Sequence, residues 1–319
     1  MTKSKHTPKL LPLLLTLLLP LLSACASSQP LPEITDENLT VSTITIPGIS
    51  REYNLLFLTD THIVLPDEST GEIRDYSAER LSHFTNDSGY ISSGLFSSWM
   101  EYANRTKPDA LLLGGDIIDS PSPANLEFLD ASLSKLNIPY LYTVGNHDWT
   151  YPWEYMTETG TAQYLPLLAP YMENNTAIHT LETEDFILVA VDNSSNQIHP
   201  GSLEEYRQIL SKGKPVIVLL HVPLYTEDLF AKTSGVWTNG AVLGGGVHGG
   251  IYPNDISAEF ISLTTAADSP VAAIIAGHVH LPDESAVDGE KNIPQIVGDA
   301  GYKGKGMSIR ILPAGTAAP

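Results

Sequence analysis

The chain has 319 residues, 42% of them hydrophobic and 17% charged, with a formal net charge of −20. That composition excludes extended disorder and suits a single α/β domain long enough to bury a sizeable core. The excess of acid argues against nucleic acid or anionic lipid as a main partner, because phosphate-rich surfaces demand net positive contacts.

The N-terminus stands apart from the rest. Lys3, Lys5 and Lys9 precede a run of leucines, Leu10–Leu22, broken only by Pro12, Thr16 and Pro20. The run is short for a bilayer span and the right length for the core of a signal peptide. It closes on Leu22-Ser23-Ala24-Cys25, which resembles the lipobox of bacterial lipoproteins. The resemblance implies cleavage after residue 24, diacylation of Cys25 and an extracytoplasmic protein held to a bacterial membrane by its N-terminal lipid. A plain signal peptide, or an uncleaved anchor with an incidental cysteine, is the alternative. Cys25 is the only cysteine, so neither an internal disulfide nor a cysteine-zinc site can form. Cleavage removes three lysines and no acid, leaving 14 basic against 37 acidic side chains, a net −23. The expected organisation is a signal peptide over 1–24, a lipidated cysteine and Ser/Pro/Thr-rich tether over 25–48, a folded domain over 49–313 and a tail over 314–319. An early edge strand at Thr40–Ile46 is the one element foreseen within the tether.

From Ile49 onward short apolar runs alternate with longer amphipathic stretches, the pattern of a layered α/β domain. In chain order the spacing predicts a strand at Asn54–Leu58, a polar, acidic insertion at Val64–Gly89 and a helix at Ile91–Arg105. A strand at Ala110–Leu113, a helix at Ala124–Leu136 and strands at Pro139–Val144 and Phe186–Val191 follow. Next come a helix at Ser202–Leu210, a strand at Val216–Leu220, an inserted loop at Ala231–Tyr252 and a helix at Ser257–Thr264. Strands at Val271–Ala276, Gln295–Val297 and Met307–Leu312 complete the series. Pro108, Pro139 and Pro215 punctuate the starts of three strands. The 231–252 loop holds seven glycines and is either a lid or a passive surface excursion.

Five of the apolar runs end on metal-ligand chemistry. They lead to Asp60-Thr61-His62, to Gly115-Asp116-Ile117-Ile118-Asp119, to Gly145-Asn146-His147-Asp148, to His221 and to Gly277-His278-Val279-His280. Polar side chains at the carboxyl ends of buried strands occupy the edge where open α/β sheets build active sites. Carboxylates, imidazoles and one amide without thiolate suit Mn, Fe or Zn. In extended backbone Asp60 and His62 share a side, as do His278 and His280, so each pair can address one pocket. Singly, each motif is also compatible with a strand-end turn or a core histidine; the five together, in one order, are what carry the reading.

That ordered set, D-x-H, G-D-x-x-D, G-N-H-D, H and G-H-x-H, resembles the calcineurin-like metallophosphoesterase superfamily over about residues 50–312. The resemblance implies two stacked mixed β-sheets flanked by helices and two divalent metal ions. Asp60, His62 and His280 would hold the first ion; Asn146, His221 and His278 the second; Asp116 would bridge both. His147 would serve the leaving group as an acid, oriented by Asp119. Ser120 follows Asp119 where the family's phosphoprotein phosphatases carry an arginine for phosphate, and Asp148 closes the third motif where they carry glutamate. Position 119 is Asp rather than the tyrosine ligand of purple acid phosphatases.

The expectation is a metal-dependent phosphoester hydrolase, foremost a phosphodiesterase, acting at the cell envelope on a small-molecule or envelope phosphoester. A phosphomonoesterase or nucleotidase, or a lipoprotein that binds metal or a phosphorylated ligand without turnover, are the alternatives. His147 and Asp119 weigh against the last, since neither is needed to hold metal. Trp149, Tyr151, Trp153 and Tyr155 alternate just beyond His147 and either pack the adjacent loop or stack on a base or sugar. His83, His179, His199 and His248 stand outside every motif, His248 within reach of the site from the glycine-rich loop.

Overall fold

The computed structural model describes residues 30–67, 71–150, 154, 156–237 and 240–315, with backbone alone for 71–75. The signal peptide, Cys25, Tyr151, Trp153, Tyr155 and the end of the tail lie outside the described residues. The strands are β1 (Leu39–Ile46), β2 (Tyr53–Leu58), β3 (Ala110–Leu113), β4 (Tyr140–Tyr142), β5 (Ile178–Glu182), β6 (Ile187–Val191), β7 (Val216–Leu219), β8 (Val271–Ala276), β9 (Asp283–Val287), β10 (Ile293–Val297) and β11 (Gly306–Pro313). The helices are α1 (Gly71–His83), α2 (Ser92–Thr106), α3 (Pro123–Leu133), α4 (His147–Thr150), α5 (Glu158–Tyr164), α6 (Leu203–Leu210), α7 (Glu227–Thr233) and α8 (Asp255–Thr265).

The strands form two mixed sheets, ordered β1-β11-β2-β3-β4 and β5-β6-β7-β8-β10-β9. β2, β3 and β4 run parallel, as do β6, β7 and β8, so their carboxyl ends gather along one edge. Period-two alternation explains the layering. In β3, Leu112 faces the other sheet, where it joins Phe57, Leu188, Ile217, Leu219 and Ile275 in the intersheet core. Its neighbours Leu111 and Leu113 face the opposite way and pack with Phe96, Trp99 and Ala103 of α2. A third cluster lies on the helix side of the second sheet, around Val218, Tyr206 and Phe260. The central strands are therefore apolar on both faces, which is why they read as continuous runs rather than alternating ones.

Most predicted elements sit where the sequence places them, with end shifts of one to three residues. The differences have physical causes. The stretch read as tether carries β1, which pairs with β11 over its full length from Leu39↔Gly306 to Ile46↔Pro313. Ser42, Ile44 and Ile46 turn inward and Val41, Thr43 and Thr45 outward, an amphipathic edge strand that belongs to the domain. The polar insertion at 64–89 contains α1, and the glycine-rich stretch buries Val242 and Leu243 completely and bridges Leu224 to Leu243 and Leu243 to Ile251. That stretch is a packed excursion along much of its length. β5 (IHTLE) and β9 (DESAV) were invisible to pattern because each is an outer strand rich in polar residues. Among the described residues no helix is long and apolar enough to cross a membrane.

His179 lies in β5, on the side of the strand opposite Ile178 and shared with Leu181, which packs toward the intersheet core. Neither ring nitrogen makes a well-formed hydrogen bond among the described residues, and burial, opposed by the Asn175 backbone, pushes its pKa down to about 4. A folded-state pKa below the unfolded value means stability that is complete above about pH 6.5 and is lost as pH falls toward 4. We expect His179→Leu to shrink the difference in unfolding free energy between pH 7.5 and pH 5 by about 2 kcal/mol. Urea titration of chelator-treated protein at both pH values measures this; an unchanged difference would exonerate His179.

Candidate active site

Every residue singled out in the five motifs lies at the shared carboxyl edge. Asp60 and His62 follow β2, Asp116 and Asp119 follow β3, Asn146 and His147 follow β4, His221 follows β7, and His278 and His280 follow β8. The first sheet thus supplies the carboxylates and the second supplies three imidazoles. The backbone that presents them is not extended. Asp60, His62, Asp116, His278 and His280 all have positive φ, from 43° to 72°. Left-handed backbone costs a non-glycine residue of order 1 kcal/mol or more and persists only where the surroundings fix it. Here the fixing is explicit: the amides of Asp60, His62 and Ile63 donate to the carbonyls of Gly115, Asp116 and Ile117 at 2.8–3.0 Å, lacing one loop to the next. Asp60 and His62 still reach one cluster, while His278 and His280 divide between two.

Two glycines are required by close approach. A Cβ on Gly145 would lie 2.0 Å from the amide nitrogen of Asp116, and one on Gly277 would lie 1.9 Å from Thr59 Oγ1. The loops after β3 and β4 are packed backbone to backbone at Gly145, and at Gly277 the loop after β8 packs against the Thr59 and Asp60 side chains that follow β2.

In the first cluster, His62 Nε2 and His280 Nε2 are 3.2 Å apart and His280 Nε2 is 3.3 Å from Asp60 Oδ1. Asp60 Oδ2 accepts from Thr59 Oγ1 at 2.7 Å and from the His278 amide at 2.9 Å. Its Oδ1 is buried and accepts no hydrogen bond among the described residues. In the second cluster, His221 Nε2 lies 3.1 Å from both His278 Nδ1 and Asn146 Oδ1, and 3.4 Å from Asp116 Oδ2. His221 Nδ1 donates to the Gly114 carbonyl at 2.8 Å, which fixes the tautomer that leaves Nε2 for a ligand. Imidazole nitrogens that converge on one another and on carboxylate oxygens away from water form the donor set of a cation, and an orphaned Asp60 Oδ1 is a lone pair awaiting one. The donors fall into three overlapping groups, Asp60-His62-His280, His62-Asp116-His147 and Asp116-His221-His278, linked through His62 and Asp116, and such a set suits a dinuclear divalent metal site.

The electrostatics follow from the same proximity. Burial opposes ionisation of Asp116, yet the imidazoles of His221, His147 and His62 outweigh it and hold its pKa well below the usual carboxylate range. Burial likewise opposes the Asp60 charge, but His280 and His221 draw its pKa down to about 2. Burial lowers His62 to about 4 against the pull of Asp119, and burial with the neighbouring His221 lowers His278 to about 3. Both are thus held as neutral donors at neutral pH.

His147 stands at the rim. Its Nδ1 is 2.9 Å from Asp119 Oδ1 and its amide donates to Asp116 Oδ1 at 2.7 Å. Burial works against its protonation, but Asp116 and Asp119 outweigh it and raise its pKa. Asp119 does more than orient His147, because its Oδ1 also lies 3.1 Å from His62 Nδ1. Arg80 of α1 grips the same carboxylate through Nε and a terminal nitrogen, each at 2.7 Å. The sequence offered no signal for Arg80, which lies in the segment read as a polar insertion. Asp148, read only as a departure from relatives, accepts from the amides of Gly145, Ile118 and Asp116 at 2.7, 3.0 and 3.1 Å and so ties two motif loops together. Burial and the nearby Asp116 push its pKa up to about 7 despite those amides.

A cleft of about 540 Å³ opens over His62, His147 and His280. Phe84 stacks on the His62 ring with centroids 4.1 Å apart, and Trp237 and Tyr302 meet His280 edge-on at 5.7 and 5.6 Å. Trp149, the described member of the aromatic series, is 2% exposed and donates to Ser194 Oγ, so it packs its loop and does not face the cleft. His248 stacks near Tyr225 and does not line the cleft.

A family model described as calcineurin-like phosphoesterase matches residues 53–282. No curated protein matches the chain. Among solved structures, a dimetal phosphatase from Danio rerio aligns at 13% identity over 79% of this chain and 88% of that one, with a TM-score of 0.46. A purple acid phosphatase from yellow lupin (Lupinus luteus) seeds aligns at 13% identity over 86% of this chain and 48% of that one, with a TM-score of 0.50. A Haemophilus influenzae NAD nucleotidase aligns at 12% identity over 79% and 51%, with a TM-score of 0.40. The chain therefore spans about half the length of the lupin and Haemophilus proteins, and at such identity the likeness speaks for the fold alone.

If the two clusters each take one ion, Asp60→Ala or His280→Ala should lower bound Mn²⁺ from about two ions per chain to about one, and Asp116→Ala should abolish binding at both. Equilibrium dialysis with elemental analysis measures the stoichiometry. Complete loss in Asp60→Ala would mean that the clusters bind only as a unit.

Proposed function

The chain belongs to the calcineurin-like phosphoesterases, metal-dependent phosphoester hydrolases, and we propose that this member is a phosphodiesterase of the bacterial cell envelope. The observation that carries the reading is the pair of donor groups Asp60-His62-His280 and Asp116-His221-His278, joined by a third, His62-Asp116-His147, that places His147 at their rim. Asp60, His62 and His280 would hold one ion and Asn146, His221 and His278 the other, with Asp116 common to both. When bound, two such cations, Mn, Fe or Zn by their donors, supply Lewis acidity at the phosphoryl oxygens and an acidified water.

The chain's own residues do the rest. His147, whose pKa Asp116 and Asp119 raise against burial, would offer its Nε2 proton to the departing ester oxygen. Asp119, gripped by Arg80, holds the ring so that this nitrogen faces the cleft, and steadies His62 through its other nitrogen. The preference for diesters rests on charge. A monoester dianion calls for cationic donors beyond the metals, yet Arg80 is engaged by Asp119, and Lys303 by Asp299 and the His280 carbonyl. A singly charged diester needs no such donor, and the cleft leaves room for its second substituent. The envelope location rests on the lipobox-like Leu22–Cys25, which supports acylation of Cys25 and attachment to the membrane.

Chelator-stripped protein should be inactive and should regain hydrolysis of an aryl phosphodiester on addition of a transition metal, with the diester cleaved faster than its monoester. A faster monoester would sink the diester assignment. His147→Ala should lower kcat about 10²–10⁴-fold for alkyl leaving groups and far less for nitrophenolate, which departs without a proton. Equal losses for both leaving groups would remove His147 from the acid's role.

A further inference from the structure

The course of the chain before β1 bears on how the cleft is presented. β1 starts opposite Gly306, and Met307 lies opposite Phe57, so β1 begins at the edge where β2 ends and the metal ligands begin. Just ahead of it, the Asn38 side chain donates to the Gly304 carbonyl at 3.0 Å, one residue beyond Lys303 of the cleft wall. Further upstream, Leu31 and Ile91 both lie 3.8 Å from the position a Cβ would take on Gly94. Ile91 sits at the start of α2, where Ser92 accepts from the amide of Val64, two residues past His62. Leu31, the first residue of the compact unit, therefore stands at the active-site edge.

Surface chemistry divides the same way. Of the eight exposed large apolar side chains among the described residues, Met156, Leu167, Val236, Val247 and Tyr252 stand on the connections that follow the carboxyl ends of β4 and β7, and Leu31 and Ile91 lie beside the start of α2. Val247 is 88% exposed on the glycine-rich excursion beyond β7. The opposite edge presents Glu52, Lys107, Glu184 and Lys212 in the turns that lead into β2, β3, β6 and β7. None of the twelve residues lining the cleft is acidic, although the chain as a whole carries −20.

From this distribution we infer that the active-site edge is a membrane-contact surface, on which the cleft opens toward the headgroup layer of the bilayer that holds Cys25. The inference rests on the proposed acylation of Cys25. Six residue steps join Cys25 to Leu31, a reach of at most about 20 Å, whereas a domain of this size is roughly 50 Å across. An anchor that short, entering at one edge, keeps that edge nearer the bilayer than its opposite. Exposed apolar side chains there gain by entering the interface, as amphipathic surface elements do. A net negative protein gains nothing from anionic lipid on its own, so the contact depends on the anchor to bring it about. Phosphoesters resident in the membrane would then reach the cleft by diffusion in its plane.

The test uses the full-length acylated protein in vesicles of phosphatidylcholine and phosphatidylglycerol at 7:3, with a cysteine placed singly at Leu31, Val247 or Glu184 and labelled with nitrobenzoxadiazole. Nitroxide-bearing lipid should quench the labels at 31 and 247 at least threefold more than that at 184. Equal quenching, or stronger quenching at 184, overturns the orientation. In a second arm, Leu31→Asp/Val247→Asp should lower hydrolysis of hexadecyl nitrophenyl phosphate embedded in the vesicles several-fold and leave methyl nitrophenyl phosphate in solution unaffected. Equal rates on the embedded ester count against the inference, while the soluble ester reports on folding and on the phosphodiesterase reading itself. The mass of the N-terminal peptide reports separately on acylation: an unmodified Cys25 removes the anchor and the orientation together, with the hydrolytic reading intact.

Discussion

The structure turns on a buried carboxylate that the protein does not neutralise with a lysine or arginine. Asp116 is 2% exposed, and the groups drawn to it are imidazoles, chiefly those of His221, His147 and His62. Against burial, Asp116 in turn raises the pKa of His221 to about 9 and, with Asp119, raises that of His147, whereas burial holds His62 and His278 neutral at neutral pH. Three further carboxylates, Asp60, Asp119 and Asp148, are buried within the same loops. Such a concentration of anionic oxygen is costly to take out of water unless cations complete it. The site is thus organised for ions, and its cost is borne by the packing of the two sheets beneath it.

That packing is also what assembles the donors. Asp60, Asp116 and Asn146 come from loops of the first sheet, and His221, His278 and His280 from loops of the second. The intersheet core of Phe57, Leu112, Leu188, Ile217 and Ile275 sets the distance between the two edges. Gly145 lets the loops after β3 and β4 touch backbone to backbone, Gly277 leaves room for the Thr59 side chain, and Asp148 pins the loop after β3 to the loop after β4 through three amides. A raised pKa for Asp148 belongs to this arrangement: the fold gains geometric precision from the charged form while burial beside Asp116 works against that charge.

Much of this was legible in the sequence because the chemistry is punctuated. Five short apolar runs, each too short for a helix and each ending on Asp, His or Asn, define both the central strands and the edge at which they stop. What pattern could not supply falls into two kinds. β5 and β9 are outer strands whose polar content hides them, and they become strands through the partner they pair with. Arg80 and Asp148 act through contacts between segments distant in sequence, and nothing about an arginine in a polar helix signals that it will meet a carboxylate 39 positions away. The left-handed backbone at five site residues is of the same kind, since local preference opposes it and only the interlaced loops enforce it.

Long-range and short-range electrostatics act in opposite senses here. A chain of net −20 attracts divalent cations to its surface and repels phosphate from a distance. At physiological ionic strength that field is screened beyond about 8 Å, so within the cleft the local set decides. There the lining includes Arg80, His83, Lys303 and the site imidazoles and no carboxylate, and the oxygen donors beneath are turned toward where ions would sit. The acidic exterior and the cleft's lack of acid are therefore compatible parts of one device: the first gathers metal, the second admits the phosphoester that the metals are there to hold. A protein arranged this way has little electrostatic means of drawing anionic substrate from bulk solution, which places the weight of capture on the cleft's apolar wall of Phe84, Trp237 and Tyr302 and on whatever brings substrate to its mouth.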